Sequence, residues 1–207
     1  MKKIFLLATT ALALAACSND DNYVDRPVAA QFTATIGQSN VSRVSGSSWD
    51  KNDMIGITTT FNNQVGPFIN MRYTTAEGDG AFAGNTIYIY NPMSLTAYYP
   101  FAGDEGTAPK EQGVISAVTD AEHQQPENQK KIDFLFASKA EITTDDANVA
   151  LEFSHKMSKL TFIFIDGKGA DVSKISAYKI EGLALEGSFD TATGVCAAKS
   201  DVATLSM

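Results

Sequence analysis

Few side chains in this sequence of 207 residues could carry out chemistry. Its two histidines are His123, in a run of Gln, Glu and Pro residues, and His155, directly after an alternating apolar segment. We expect His123 to be a solvated loop residue and His155 to be a structural residue that satisfies a turn or a backbone carbonyl. The sequence has no Gly-x-Ser-x-Gly nucleophile elbow, no His-Glu-x-x-His motif and no phosphate-binding loop. It therefore predicts no catalytic residue and no cofactor, although any two carboxylates can meet in space, as glycoside hydrolysis requires.

Two other groups of side chains are candidates for binding a ligand. The acidic turn Glu77-Gly78-Asp79-Gly80 resembles a calcium-binding turn, but it lacks the spaced ligands of a calcium loop, so we expect a solvated turn and no metal. Four tyrosines could stack on sugar rings as a glycan platform: Tyr88, Tyr90, Tyr98 and Tyr99. Because they fall at strand spacing, half of them should face the core, and cross-strand packing is the preferred interpretation.

The start of the chain has the pattern of an export signal. Two lysines precede a mostly apolar run at residues 4–16, which as a helix would span about 20 Å, against about 30 Å for a bilayer core. That geometry is typical of a signal peptide rather than a transmembrane helix. The run ends in Leu14-Ala15-Ala16-Cys17, which resembles the bacterial lipobox. The resemblance implies a signal peptide at residues 1–16, acylation of Cys17 and a polar tether over residues 17–30; the alternative is a buried cysteine in an ordinary signal or core helix.

Composition and charge narrow the fold class and the partners. Aromatic residues make up 10% of the chain, which argues against disorder throughout. Lys and Arg total 16 against 24 Asp and Glu, a net charge of −8, so the chain repels phosphate backbones and nucleic acid is not an expected partner. If Cys17 is acylated, Cys196 has no intramolecular partner. We expect a free thiol in a strand there, with an intermolecular link as the alternative.

The elements that position these side chains are predicted to be strands. Period-two alternation recurs in runs of about 4–8 residues separated by turn residues, which predicts an all-β sandwich or barrel. In one such run Ile87 and Ile89 share one face while Tyr88 and Tyr90 share the other. Trp49 lies in a turn before a strand and is expected to plug one end of the sandwich.

A composition shift near residue 145 predicts a division of the chain. The first β-sandwich domain would span residues 31–145, and a partial second β domain would span residues 147–207. Within the first, residues 102–131 are rich in Gly, Pro and polar side chains. We expect a long surface excursion there, with one short strand at residues 114–118.

The second domain is predicted to be incomplete. Its segment Leu160-Thr161-Phe162-Ile163-Phe164-Ile165 is apolar on both faces, which predicts a central strand buried on both sides. Residues 188–190 and 195–197 are expected to pair as a hairpin around residues 191–194, and Gly182 is a candidate bulge. The domain nevertheless offers too few strands to close a sandwich, and it stops at Met207 without a closing pattern. Open edges and an uncovered face are features that natural proteins avoid. We therefore expect this domain either to be truncated or to be completed by another chain.

Several segments together resemble the fimbrillin-like proteins, the type V pilin superfamily of outer-membrane lipoproteins. No single motif is specific, and the order and spacing of the motifs carry the resemblance. Besides the lipobox, the matching segments are Phe32-Thr33-Ala34-Thr35-Ile36, Ser42-Arg43-Val44, Trp49-Asp50-Lys51-Asn52-Asp53-Met54-Ile55-Gly56-Ile57, Leu95-Thr96-Ala97-Tyr98-Tyr99-Pro100, Asp133-Phe134-Leu135 with Ala137, and Leu151-Glu152-Phe153-Ser154-His155-Lys156-Met157-Ser158-Lys159-Leu160.

The resemblance implies two transthyretin-like antiparallel β-sandwich domains and assembly into fimbriae by strand exchange. In the family, a trypsin-like protease cuts after an arginine near the first strand, and a strand from the next subunit fills the groove that remains. The matching residue here is Arg43, because Pro27 disfavours a cut after Arg26. Residues 31–36 form the strand expected to be displaced. Family members usually continue past the position of Met207, so the donor strand that the resemblance implies is missing from this sequence, and we expect either a fragment or truncated gene product or a short variant.

These observations give two functional hypotheses. The first is a non-enzymatic structural or adhesive subunit, exported as a lipoprotein to the outer membrane and assembled into fimbriae at the cell surface. Its partners would be other pilin subunits and, through the lipid anchor, the outer membrane, with host or bacterial receptors or glycans as further candidates. The alternative is a monomeric, lipid-anchored glycan-binding module of the same compartment; an extracellular hydrolase is a weaker third.

Overall fold

The computed structural model describes residues 26–37, 48–167, 169 and 171–207. Within these ranges the strands are β1 Val28–Ala29, β2 Gln31–Ile36, β3 Asp53–Phe61, β4 Gln64–Val65, β5 Met71–Thr75, β6 Ala81–Gly84, β7 Tyr88–Ile89, β8 Met93–Tyr99, β9 Val114–Val118, β10 Leu135–Ile142, β11 Asn148–His155, β12 Lys179–Leu183, β13 Glu186–Asp190, β14 Cys196–Ala198 and β15 Ala203–Ser206. Single-turn 3₁₀ helices lie at Lys110–Gln112, Gln129–Lys131 and Val172–Lys174. The described residues include no helix of the length and hydropathy that a bilayer span requires.

Most strands belong to one sheet that closes on itself. Its order is β4-β3-β5-β6-β2-β11-β10-β8, and β8 also pairs with β3. We call this the closed sheet; it forms a β-sandwich, so the predicted fold class is confirmed. Among the described strands every pairing is antiparallel except that of β2 with β11. Parallel neighbours need a long connection, and more than a hundred residues separate these two strands.

The core of the closed sheet follows from period-two alternation. Inward side chains of β2, β3, β8 and β11 are buried, while the residues between them face outward. The predicted alternation near residue 88 is confirmed, because Ile87 and Ile89 are fully buried and Tyr88 and Tyr90 are exposed. The apolar cluster runs from β2 to β11: Ala30, Phe32, Ala34, Trp49, Ile55, Ile57, Tyr73, Phe82, Ile87, Ile89, Met93, Leu95, Ala97, Tyr99, Leu135, Ala137, Ile142, Val149, Leu151 and Phe153.

The closed sheet extends past residue 145. Strand β11 begins at Asn148, and it pairs with both β2 and β10 of the first part of the chain. The hydrogen-bonded unit therefore reaches His155. The division into domains at 31–145 and 147–207 stays a prediction.

A small second layer joins the two parts of the chain. The strand predicted at residues 114–118 is present as β9, and its partner is β13, which the sequence did not indicate. Phe189 of β13 is fully buried and stacks on Phe134, with 4.7 Å between ring centroids. Tyr98 lies beside them on the outer face of β8. A Cβ on Gly56 would collide with the Tyr98 ring, so this glycine lets Tyr98 lie across β3.

The region after His155 contains the predicted small motifs. Ser188 and Phe189 pair with Ala197 and Cys196, which gives the hairpin expected around residues 191–194. The register of β12 with β15 shifts at Gly182, which has a φ of 73° and forms a bulge. Cys196 lies in β14 and is exposed, with its Sγ 3.8 Å from the Sδ of Met157.

The prediction of a buried central strand at residues 160–165 is wrong. The segment has no strand assignment, and Ile163 and Ile165 are more than 80% exposed. Phe162 and Phe164 contact only the Tyr178 ring among described aromatic side chains, at 5.6 and 5.7 Å between centroids. The physical reason is that β12 pairs with β15, and β13 with β9 and β14, so none of the described strands pairs with this segment to supply ladder hydrogen bonds.

Candidate functional site

Strand β2 is the segment that the sequence singles out for displacement, and it lies between two neighbours. All six of its residues pair with β11, from Gln31 with Asn148 to Ile36 with Phe153. On the other edge Phe32 and Thr33 pair with β6. These pairings make β2 the strand that connects β6 to β11 in the closed sheet.

The two inward side chains of β2 fill the core. Phe32 is 2% exposed and meets the Tyr73 ring edge to face, with 4.9 Å between centroids. Ala34 is buried one step along the strand, and the intervening Thr33 faces outward. Edge-to-face geometry is a favoured arrangement of aromatic pairs. Without β2, the core would have a pocket at Phe32 and an open row of ladder groups along β11.

Trp49 holds the middle of β2 in place. Its indole Nε1 donates a 2.8 Å hydrogen bond to the carbonyl of Ala34. The ring is buried and makes edge-to-face contacts with Phe82, Tyr99 and Phe153 at 5.1–5.6 Å between centroids. The prediction that Trp49 plugs the sandwich is confirmed, and the structure adds that the plug is bonded to β2.

A tight turn fixes the other side of Ala34. The amide of Ala34 donates to the carbonyl of Gly80 at 2.8 Å. Gly80 has a φ of 84°, and a Cβ there would lie 2.5 Å from the Ala34 oxygen, so the position requires glycine. The neighbouring carboxylate of Asp79 accepts from the amide of Ala81 at 3.0 Å, and Glu77 pairs with Lys51. These carboxylates therefore serve the turn, and the described residues contain no group of three ligands that could hold a metal.

The remaining predicted site residues fall outside the described ranges. Cys17 precedes Arg26, the first described residue, and Arg43 lies between Gly37 and Ser48. Lipidation and maturation cleavage at these residues stay predictions. Arg26 is described and exposed, and Pro27 follows it.

Both histidines contact carboxylates. His155 Nδ1 lies 2.8 Å from Asp133 Oδ1, which links the end of β11 to the residues before β10. The role is structural, as expected, but the partner is a side chain rather than a turn or a backbone carbonyl. His123 Nδ1 lies 2.7 Å from Asp120 Oδ1 within one partly buried loop. The hydrogen bond from His123 lowers the pKa of the Asp120 carboxyl.

The four-tyrosine glycan platform is not assembled. Tyr98 and Tyr99 are buried on opposite faces of β8, and only Tyr88 and Tyr90 are exposed, with 6.2 Å between their ring centroids. Burial raises the pKa of Tyr98 to about 12. Burial also raises the pKa of Tyr99. A second cause is the nearby Asp53 carboxylate, which accepts a 3.2 Å hydrogen bond from the Tyr99 hydroxyl.

Sequence reasoning missed the partner of Tyr98. The Tyr98 hydroxyl donates to Asn70 Oδ1 at 2.8 Å, and the Asn70 amide donates to the carbonyls of Ala102 and Asp104 at 3.0 Å each. Asn70 is fully buried with a φ of 46°. The only signal was an asparagine before a strand, which is equally typical of a solvated turn.

Comparisons with known proteins agree with the fold. The family described as fimbrillin-like matches residues 42–207. A candidate cell adhesion protein from Bacteroides ovatus is 30% identical, with a TM-score of 0.66, and the match covers 88% of this chain and 72% of that one. A candidate cell adhesion protein from Bacteroides uniformis is 23% identical with a TM-score of 0.69, covering 88% and 70%, which supports the fold alone. Among curated proteins no relative matches. The chain belongs to the fimbrillin-like family.

Proposed function

We propose that this chain is a pilin-type subunit of cell-surface fimbriae in which β2 is displaced and replaced by a strand from another subunit. The observation that carries the proposal is the place of β2 between β6 and β11. Removing it would leave six unpaired positions along β11 and an apolar pocket at Phe32. A donated strand satisfies both needs at once, because the ladder supplies affinity and alternate side chains fill the pocket.

Cleavage after Arg43 would provide the trigger. Arg43 follows β2 in the chain, so a cut there separates both β1 and β2 covalently from everything that follows. Strand β1 pairs with β7, and Ala30 donates to the carbonyl of Ile87 at 2.9 Å. Departure of the N-terminal segment would therefore open a groove that continues from β11 and β6 to β7. Cleavage after Arg26 would leave both strands attached.

Acylation of Cys17 would hold the subunit at the outer membrane before assembly. Stable anchoring takes more than one acyl chain, which the lipobox modification would provide. Because Cys17 also precedes Arg43, the lipid and β2 would stay on the same fragment after cleavage. In the cleaved protein the body of the subunit would be held at the membrane only through the contacts of β1 and β2.

The region after His155 is a second candidate for backbone pairing. Residues 160–165 present exposed apolar side chains and lack a ladder partner among the described strands. An unpaired apolar segment of this kind is a template for strand pairing. We infer that a strand outside the described residues covers this segment, supplied either by a neighbouring chain or by a continuation of this chain past Met207.

Limited trypsin digestion of the purified chain tests the role of β2. One early cut after Arg43, followed by a ladder of oligomers on a denaturing gel without boiling, is the expected result. Arg43→Ala should abolish both the cut and the ladder, whereas Arg43→Lys, which trypsin still cleaves, should keep them. An unchanged ladder in Arg43→Ala would refute the cleavage site, and a clean cut without oligomers would refute strand exchange between copies of this chain.

Lipidation is tested separately. Metabolic labelling with a clickable palmitate analogue should label the wild-type chain and leave Cys17→Ala unlabelled. Cys196→Ala provides the matched control, because it removes the other cysteine and should keep the label. Labelling of Cys17→Ala would show that the lipobox interpretation is wrong.

A further inference from the structure

A charge-free groove lies at the end of the β3–β4 hairpin. It has a volume of about 350 Å³ and is formed between this hairpin and the turn that leads into β8. We call it the hairpin groove. Its walls include Phe61, Val65 and Tyr90, and two amide side chains, Gln64 and Asn91, line it as well. The volume falls at the lower end of the roughly 300–1,000 Å³ typical of small-molecule sites.

The aromatic walls of the hairpin groove are open to solvent. Phe61 is 39% exposed and Tyr90 is 48% exposed, so each leaves a substantial part of an apolar ring in contact with solvent. Tyr88 lies beside Tyr90, with the two rings tilted by 50°, so aromatic surface continues beyond the groove. Exposed ring faces next to each other are suited to a ligand that has flat apolar faces of its own.

The polar groups of the hairpin groove are amides rather than charges. Its described lining contains no Asp, Glu, Lys, Arg or His, whereas the larger groove along β10 and β11 is lined in part by Lys139, Glu152 and Lys156. Each amide side chain offers both donors and acceptors, which matches hydroxyl groups. A charged ligand would find no counter-ion in the hairpin groove of this acidic protein.

The hairpin turn holds these groups in a fixed geometry. Asn62 and Asn63 have φ values of 50° and 59°, and Phe61 pairs with Gln64 across them. Two consecutive positive φ values are the signature of a tight two-residue hairpin turn, for which asparagine is favoured. The turn therefore fixes the positions of Phe61 and Gln64, and an apolar peptide seated in the groove would have to desolvate the Gln64 and Asn91 amides without compensation.

We propose that the hairpin groove binds a short, uncharged oligosaccharide. Pyranose rings carry C–H faces that pack on the rings of Phe61 and Tyr90, and their hydroxyls exchange hydrogen bonds with Gln64 and Asn91. The site does not depend on the proposed strand exchange, because β2 contributes no residue to it. A subunit with this groove would bind surface glycans as well as other subunits.

Isothermal titration of the purified full chain tests the proposal. The probes are uncharged tetrasaccharides of glucose, galactose, mannose or N-acetylglucosamine. At least one should bind saturably, and Tyr90→Ala and Phe61→Ala should each weaken that binding by about tenfold or more, whereas Tyr90→Phe, which keeps the ring, should change it by less than about threefold. Arg43→Ala should bind as the wild type does, so failure of the cleavage proposal is distinguishable from failure of this one.

Phe164→Ala is the matched control, because Phe164 has the same exposed fraction as Tyr90, 48%, but lies in the region after His155. It should leave saccharide binding unchanged. The proposal is overturned if no probe binds saturably, or if Phe164→Ala weakens binding as much as Tyr90→Ala does. It is also overturned if Tyr90→Ala alters only self-association, measured by sedimentation velocity, since the groove would then be a contact between copies of the chain.

Discussion

The closed sheet and the region after His155 differ in what covers their apolar side chains. In the closed sheet, Ile55, Ile57 and Phe153 have no exposed surface, because the sheet returns on itself and encloses one core. In residues 160–165 an equally apolar pattern is largely exposed, because no described strand lies beside it. The contrast shows that apolar, β-branched residues are compatible with a strand, but that the strand forms only where a neighbouring strand pairs with it.

One part of the region after His155 is well buried, unlike residues 160–165. Phe189 of β13 is as fully buried as any residue of the closed sheet, and it is covered by Tyr98 of β8 and by Phe134, which directly precedes β10. Among the described residues after His155, burial is therefore greatest at Phe189, where the chain packs on the outer face of the closed sheet.

The largest effect is expected from a cavity in the closed sheet. Phe153→Ala should lower the free energy of unfolding by about 3–5 kcal/mol, because Phe153 is fully buried against Trp49. The exposed Phe164 provides the comparison, and Phe164→Ala should change the same quantity by less than about 0.5 kcal/mol. Urea denaturation followed by far-UV circular dichroism measures both. Equal losses would remove the distinction between the two regions.

A smaller and local effect is expected at the contact between the two regions. Phe189→Ala should destabilise β9, β13 and β14 by roughly 3 kcal/mol and leave the closed sheet intact, because the closed sheet encloses a core of its own. Amide hydrogen exchange should show faster exchange in those three strands and unchanged protection in β3 and β8. Equal loss of protection in β3 would mean that the two parts fold as one unit.

Alkaline pH should weaken the closed sheet. Burial raises the pKa of Tyr73 and of Tyr98 to about 12. Above pH 10 the unfolded chain loses these phenolic protons while the folded chain keeps them, so the unfolded state binds fewer protons and stability falls as pH rises from 10 to 12. The slope should be up to about 1.4 kcal/mol per pH unit for each tyrosine.

Urea denaturation between pH 9 and 12 would measure this slope. Tyr98→Phe should make the slope shallower by up to about 1.4 kcal/mol per pH unit, because the phenylalanine cannot ionise, while the contribution of Tyr73 remains. A slope that is the same in Tyr98→Phe and in the wild type would contradict the assignment to buried tyrosine.

The smallest effect on stability is expected in residues 160–165. Ile163→Lys should change the free energy of unfolding by less than about 0.5 kcal/mol, because the side chain is already solvated. It should also reduce self-association, since a charge on an unpaired apolar segment opposes pairing between chains. Sedimentation velocity together with urea denaturation would check both outcomes. A loss of more than about 1 kcal/mol would show that Ile163 is covered in the folded protein.

The sequence predicted the local features of the candidate site but not its long-range contacts. The alternation of Phe32 and Ala34 with threonines predicts a half-buried strand at β2, and the turn around Trp49 predicts a plug. The bond from Trp49 to Ala34 could not be predicted, because it joins segments whose relative placement depends on the whole sheet. The hairpin groove could not be predicted for the same reason. Phe61 and Tyr90 are distant in sequence, and the pairing of β3 with β8 brings their segments to one groove.

Local sequence patterns were sufficient to predict the all-β class, the inward and outward faces of the strands, and the hairpin turn around residues 191–194. These are local properties, because the two-residue period of a strand fixes which side chains share a face. The parallel pairing of β2 with β11, the pairing of β9 with β13 and the exposure of residues 160–165 follow from long-range contacts that no local pattern specifies. A period-two pattern indicates that one face will be buried but carries no information on which distant segment will cover it.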